Sequence, residues 1–435
     1  MSSIQAIRGT RDILPSESPL WEKIEELARH VLAQSAYREI RTPIFEKTEL
    51  FARGIGEATD AVGKEMYSFE DRGGRSIALR PEITAGLVRA FIQNNLYAQG
   101  GVQRLWHIGP AFRYERPQAG RQRQFHQLDV EVLGSRDARA DAEIIAIATQ
   151  ILNALGLTAL TLDLNSVGSG EDRQAYRDAL VAYFTPYKDD LDADSQDRLT
   201  RNPLRILDSK DQRTQEIVTD APSLLDYLSD DSQRHFDAVQ QHLTTMGLAF
   251  NINPRLVRGL DYYTHTAFEI QSSDLGAQAT VCGGGRYDGL VAQLGGPDTP
   301  AIGFGMGLER LIILLEQMGR YDTTPALDIY LISRGEKAEF QSVQLANQLR
   351  QHGYSVEVDL SGSAFGKQFK RADRSGAIVG LILGDAEAES EKVQLKWLAS
   401  GDQLEMSQAD LLAKAEDIRS KIAEVRSQVS DSSAG

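Results

Sequence analysis

Among 435 residues the sequence has a single cysteine, Cys282. An internal disulfide is impossible, and a reducing, cytoplasmic compartment is the simple reading. No apolar run approaches the roughly 18 residues of a membrane span, so no membrane partner is expected. The opening stretch, MSSIQAIRGTRDILPSESPL, has no apolar segment long enough for a signal peptide. The P-loop pattern G-x-x-x-x-G-K-[ST] is absent, and GFGMG lacks the strand and spacing of a dinucleotide fingerprint. No H-E-x-x-H or C-x-x-C occurs, so no metal held by dedicated protein ligands is expected. Positive charge is also scarce: 47 Lys and Arg against 62 Asp and Glu give −15. That balance argues against bulk attraction to nucleic acid, although it does not exclude a local basic strip.

What is present fits a globular chain, with 41% hydrophobic and 25% charged residues. The length calls for two or three domains. Leu20, Ile24, Leu27, Val31 and Leu32 recur at helical spacing, which predicts a helix over 17–36 capped by Ser16. YREIRTPIFE alternates like a strand, with Pro43 marking an end or an edge. SIALR, VQRLWHIGPAFRYE and RQFHQLDVEVLG alternate as antiparallel strands do. A helix over 139–156 and a strand in LTALTLDLNSVG follow. Residues 171–250 have helical periodicity, with 16 acidic and 9 basic residues (net −7), and read as a helical insertion. Strand signals resume at YYTHTAFEIQ, TVCGGGRYDGL and AIGFGMG, before a helix in LERLIILLEQMG that Gly319 can end. Four further strands then alternate with helices at about 336–352 and 364–374, which predicts a C-terminal α/β domain. The last residues, 426–435, read as a disordered tail.

With no nucleophile motif, the chemistry falls to arginines near strands. FRYERPQAGRQRQF holds Arg113, Arg116, Arg121 and Arg123 against Glu115. Arg258 opens RGLDYYTHTAFE, which reads as a strand, and Arg310 follows a Gly-rich strand. Alone, each is an ordinary surface arginine. Together, with glycines beside them, they could converge on a polyphosphate, because guanidinium forks grip phosphate oxygens bidentately. Glu82 and Thr84 stand at a helix start. Gln127, Asp129 and Glu131 share one face of a strand, with Leu128, Val130 and Val132 on the other. That polar face is either solvated or a pocket wall. The glycines of CGGGRYDGL mark a bulge or a close approach.

In combination these stretches resemble the histidyl-tRNA synthetase family of class II aminoacyl-tRNA synthetases. YREIRTPIFEKTELF, FRYERPQAGRQRQFHQLDVE and AIGFGMGLERL resemble the three class motifs. LVRGLDYYT and CGGGRYDGL resemble two stretches peculiar to the histidine enzymes. The resemblance implies an α+β fold: an antiparallel-sheet catalytic domain over 1–325 carrying the 171–250 insertion, then an anticodon-binding domain over 326–425. It implies activation of L-histidine by ATP with Mg²⁺, without a tightly bound cofactor, and transfer to the 3′ end of tRNA(His). Arg258 and Arg113 would act at the α-phosphate, and Arg258 also at the histidine carboxylate. Glu82, Thr84 and Gln127 would surround the substrate's amino group, Glu131 would read the imidazole, and Tyr262 and Tyr263 would line its pocket. Glu115 and Phe125 would hold the adenine, and Arg121 and Arg310 the distal phosphates. Arg286 and Tyr287 would sit near the pocket wall. Gln118 and Arg123 would face the acceptor stem. Lys367, Lys370 and Arg371 would form a cationic face toward the anticodon. A homodimer built through the first motif is implied. Two alternatives stay open: a non-catalytic regulatory paralogue of ATP phosphoribosyltransferase, and a sugar- or nucleotide-binding scaffold without chemistry.

Overall fold

Strand β6 (Gln124–Leu133) runs through the middle of the sheet on which the larger unit is built. The computed structural model describes residues 4–56, 59–207, 209–274, 280–319 and 327–433. The chain divides into two compact units, Met1–Tyr321 and Asp322–Gly435. The expected boundary at 325/326 lies outside the described residues.

In the first unit the strands are β1 (Arg38–Glu39), β2 (Phe45–Lys47), β3 (Ser68–Glu70), β4 (Ser76–Leu79), β5 (Gln103–Phe112), β6, β7 (Leu160–Ser166), β8 (Asn251–Ile252), β9 (Thr264–Ser272), β10 (Thr280–Arg286) and β11 (Ala301–Gly307). Eight of them form one sheet in the order β1-β5-β6-β11-β10-β9-β7-β8. It is antiparallel from β5 to β7, with parallel pairs only at its two ends. A separate antiparallel sheet has the order β2-β4-β3. Pro43, which cannot donate to a ladder, lies between β1 and β2, so the stretch read as one strand is two short ones.

The pleat explains the placement of the core. Leu128, Val130 and Val132 of β6 join a buried cluster with the helices Ser18–Gln34, Ala138–Ala154, Asp230–Thr245 and Leu308–Met318. The intervening Gln127, Asp129 and Glu131 face the other way, into a cavity. Ser16 does not cap the first helix. Its N-cap is Glu17, without a side-chain hydrogen bond, and Pro19 stands in the first turn. Proline's fixed φ is already helical there, and its missing N–H needs no cap.

The helical stretch expected over 171–250 divides in two. Tyr176, Leu180, Phe184, Leu199, Ile206 and Leu224 form a cluster of their own. The final helix, Asp230–Thr245, instead places Phe236, Val239 and Leu243 in the main core. The tyrosine pair expected within a strand lies ahead of β9, in the segment 257–263.

The second unit has a mixed five-stranded sheet. Its strands are β12 (Ile329–Arg334), β13 (Val356–Val358), β14 (Val379–Gly384), β15 (Lys392–Trp397) and β16 (Gln403–Ser407), in the order β13-β12-β14-β15-β16. The first two pairings are parallel and the last two antiparallel. The expected tail is instead helical as far as Ser433, in the helix Ala415–Ser433. Ile418 and Ile422 seat this helix in the second core, and Arg426 bonds Asp328 at 2.9 Å. Those contacts supply the burial that a free tail lacks.

Candidate active site

A cavity of about 240 Å³ opens on the polar face of the large sheet. Glu82, Thr84, Arg113, Glu115, Arg121, Phe125, Gln127, Glu131, Arg258, Tyr262, Tyr263 and Arg310 all line it. They come from four separate stretches of chain, which only the sheet order brings together.

At one end is a buried acid pocket. The Thr84 hydroxyl donates to Glu131 Oε1 at 2.7 Å, and the Tyr287 hydroxyl donates to Glu131 Oε2 at 2.5 Å. Ala85 N–H donates to Glu82 Oε1 at 2.9 Å, where the helix Thr84–Gln93 begins. A carboxylate is favoured there by the free N–H groups and the helix dipole. Burial nevertheless pushes the Glu82 carboxyl up from its ordinary range and the Glu131 carboxyl up to about 8. Tyr262 and Tyr263 close the wall, ring centroids 4.7 Å apart, and Tyr262 meets Tyr287 edge-on at 5.4 Å. Burial raises all three phenols, so they serve as neutral hydrogen-bonding groups at neutral pH.

The other end is cationic. The Arg258 guanidinium donates to Glu269 Oε2 at 2.8 Å and stands 5.9 Å from the Tyr263 ring centroid. Burial works against its charge, but Tyr263 and Glu269 hold its pKa above the ordinary arginine value. Arg113 donates to the Pro81 carbonyl at 2.8 Å and lies over the Phe125 ring at 5.3 Å. Arg121 donates to Glu115 at 3.0 Å, and Arg310 to the Thr280 carbonyl. Burial, then the charge of Arg121, lowers the Arg310 pKa. Arg121 and Arg113 both act against the charge of Arg310, and a bound polyanion would relieve that repulsion.

Other expected residues lie elsewhere. Arg286 turns from the cavity to Asp141 and Asp288. Its side chain belongs to the helix-covered side of the sheet, where a buried aspartate compensates it. Gln118 pairs with Arg121 through the backbone at the loop tip. Arg123 stacks 3.8 Å from the Tyr114 ring centroid. Lys367 and Lys370 are exposed on the helix Phe365–Ala372 of the second unit. Arg371, expected on the same cationic face, donates to Asp359 at 2.8 and 3.1 Å, which neutralises much of its charge. Cavity residues not counted as site residues from the sequence include Asp129, Thr280, Cys282 and Glu309. The alternation of β6 had already put Asp129 on the correct face.

Residues 9–311 match the family model described as Histidyl-tRNA synthetase. The chain belongs to the histidyl-tRNA synthetase family. Residues 328–418 match an anticodon binding domain, so the α+β fold is a class II catalytic domain followed by an α/β anticodon-binding domain. The chain is 67% identical over 426 residues to the histidine--tRNA ligase of Picosynechococcus sp., covering 98% of this chain and 100% of that relative. It is 68% identical over 423 residues to that of Synechocystis sp., covering 97% and 94%. Apo Staphylococcus aureus histidyl-tRNA synthetase superposes with a TM-score of 0.80 at 37% identity, over 94% of this chain and 99% of that one. A Bacillus halodurans structure described as an ATP phosphoribosyltransferase regulatory subunit/histidyl-tRNA synthetase shares the fold, with a TM-score of 0.60 at 21% identity over 86% and 97%.

Proposed function

We infer that this chain is a histidine--tRNA ligase, which joins histidine to tRNA(His) at the expense of ATP. What carries the reading is one cavity in which arginines from distant parts of the chain meet a buried carboxyl-and-phenol pocket. Attack of the histidine carboxylate on the α-phosphorus of ATP gives histidyl-adenylate and pyrophosphate. The terminal ribose 3′-hydroxyl of tRNA(His) then takes the histidyl group and releases AMP. A carboxylate is already ionised at neutral pH, so the first step needs no general base. It needs alignment of carboxylate and phosphate, and positive charge around the phosphate as charge develops there.

Arg258 suits a place between the carboxylate and the α-phosphate, because it is the arginine next to the tyrosine pair. Arg113 would neutralise the α-phosphate from the other side. Glu115 and Phe125 would receive the adenine, and Arg121 and Arg310 the distal phosphates. Glu82, Thr84 and Gln127 would hold the histidine amino group, Glu131 the imidazole, and Tyr262 and Tyr263 the ring's faces. A pocket built to pair both ring nitrogens leaves buried polar groups unmatched with other amino acids. Such mismatches reject competitors by about 10⁴–10⁵.

Among the described residues no group of three or more His, Cys, Asp or Glu could hold a metal. Mg²⁺ would enter as part of the ATP substrate, on its phosphate oxygens. For tRNA we assign Gln118 and Arg123 to the acceptor end, and Lys367 and Lys370, with Arg371 as their tethered neighbour, to the anticodon side. No helix among the described residues is long and apolar enough to cross a membrane, and we assign the protein to the cytoplasm. A homodimer is proposed through the β2-β4-β3 sheet, where Ile44, Phe45 and Phe69 are exposed.

The test is histidine-dependent exchange of labelled pyrophosphate into ATP. Wild type should exchange with histidine alone among the amino acids, and Arg258→Ala should lose exchange while remaining folded. No exchange with histidine would point to the regulatory paralogue instead. Sedimentation showing only monomer at micromolar concentration would remove the dimer.

A further inference from the structure

One wall residue has no explanation in the roles above. Asp129 is 3% exposed and lines the cavity. Its Oδ2 has no hydrogen-bond partner among the described residues, and neither has Gln127 Oε1 on the same face of β6. The two side chains adjoin. A Cβ placed on Gly305 of the neighbouring strand β11 would stand 3.0 Å from Gln127 Nε2 and 3.3 Å from Asp129 Oδ1. Their neighbours, in contrast, are engaged. Glu131 accepts from Thr84 and Tyr287, and Glu82 from Ala85 N–H. The arginines nearest in charge are also committed: Arg80 donates to the Pro110 carbonyl at 2.7 Å, and Arg113 to the Pro81 carbonyl at 2.8 Å.

Two unmatched buried acceptors side by side on a cavity wall are costly unless a donor arrives. A cationic donor suits the place, because Glu82, Asp129 and Glu131 gather three carboxyl groups at this end of the cavity and a cation would favour their ionised forms. It must also be small, with several N–H groups. Of the groups on an amino acid substrate, the α-ammonium fits, with three donors on one nitrogen. We propose that Asp129 is a substrate-binding residue whose Oδ2, with Gln127 Oε1 and Glu82, receives the α-ammonium of histidine. This rests on the reading of the cavity as the histidine site, and it adds a carboxylate to the amino-group subsite. It leaves Glu131 to the imidazole.

Without substrate, the same carboxyl is a liability. Burial first, then Glu131 and Glu82, push its pKa well above the ordinary aspartate value. A neutral amide of the same shape should relieve that strain in the ligand-free protein. The substitution Asp129→Asn should therefore raise the ligand-free Tm while weakening binding of the ammonium group. A residue with a merely structural role would not give that pairing.

The experiment measures competitive inhibition of histidine-dependent pyrophosphate exchange by two probes. Histidinol has the ammonium and no carboxylate; 3-(imidazol-4-yl)propionate has the carboxylate and no ammonium. In Asp129→Asn the inhibition constant of histidinol should rise about 10- to 100-fold, the loss of one charge-assisted hydrogen bond. That of the propionate should stay unchanged. Asp129→Ser, smaller and free of clashes, should repeat this split if the asparagine variant folds poorly. An unchanged histidinol constant, or equal shifts for both probes, overturns the assignment. Absence of exchange in wild type would refute the histidine reading itself, a result distinct from loss of the Asp129 role alone.

Discussion

Arg286 and Tyr287 are consecutive residues that work on different sides of the sheet. The Arg286 guanidinium is buried against Asp141, also donating to the Ser135 carbonyl at 2.7 Å and to Asp288 at 3.1 Å. The Tyr287 hydroxyl reaches Glu131 in the acid pocket. The ion pair thus fixes the end of β10 that presents the pocket phenol.

Removing one partner should be costly. Asp141 is 0% exposed. Burial raises its carboxyl, but Arg286 and His235 outweigh that and hold its pKa below the ordinary value. Arg286→Ala would leave a buried carboxylate with His235 as its remaining side-chain partner at 3.2 Å, a loss of about 3–5 kcal/mol by chemical denaturation. Adding Asp141→Ala should recover part of that loss, because it removes the stranded charge. A double variant as unstable as the sum of the singles would show that the two residues do not act as a pair.

Two glycines leave space for functional side chains. A Cβ on Gly283 would overlap the Arg258 guanidinium, and one on Gly303 would overlap the Glu131 carboxylate. Gly283→Ala should therefore lower the exchange kcat at least about tenfold, as removal of a transition-state donor does, with a smaller effect on the histidine KM. Gly303→Ala should act chiefly on the histidine KM. Steady-state exchange kinetics with each substrate varied in turn separates the two. Indistinguishable kinetic changes would contradict this division of the cavity.

How far the sequence reaches is clear from particular residues. The alternation of HQLDVEV placed Gln127, Asp129 and Glu131 on one face, because a strand's period is two and one side was apolar. It left open whether that face was wet, since a lone strand does not say what stands opposite. Convergence of Arg113, Arg258 and Arg310 depends on the order β6-β11-β10-β9, a set of long-range pairings that no local pattern encodes. Arg286 was misplaced because its sequence neighbour lines the pocket, while its own partner is Asp141 on a helix far away in the chain. The C-terminal residues were read as a tail from polar composition. Ile418 and Ile422, at helical spacing just before them, held the signal for the helix that continues to Ser433.

Two arginines of the helical stretch after β7 grip the segment that carries the tyrosine pair. Arg173 of the helix Gly170–Phe184 donates to the carbonyls of Asp261 at 3.3 Å and Tyr263 at 2.7 Å. Arg205 donates to the Gly259 carbonyl at 2.6 Å and lies 3.6 Å from Asp60. The cluster around Tyr176, Leu180 and Phe184 is built from apolar side chains rather than from these bonds. Arg173→Ala and Arg205→Ala should thus each raise the histidine KM by roughly tenfold, the scale of one charged hydrogen bond. The ATP KM and the denaturation midpoint should move little. Unchanged histidine kinetics in the double variant would sever the link between these helices and the pocket.

Glu131 should make the ligand-free protein less stable in mild alkali. Burial raises its carboxyl from 4.5 to about 8, against the pull of the Tyr287 and Thr84 hydrogen bonds. A folded-state pKa above the unfolded one means that the folded protein binds the proton more tightly. That contribution to stability is complete below 4.5 and is lost as pH rises through about 8. Asp129, raised for the same reason, acts in the same direction. The Tm of the ligand-free protein should therefore fall between pH 5 and 8, a range set by these shifts. Glu131→Gln cannot ionise and should flatten that fall, while raising the histidine KM by about 10- to 100-fold. Scanning fluorimetry across the pH range decides the first part and exchange kinetics the second. An identical pH slope in the variant would mean that Glu131 is already ionised in the folded protein at neutral pH.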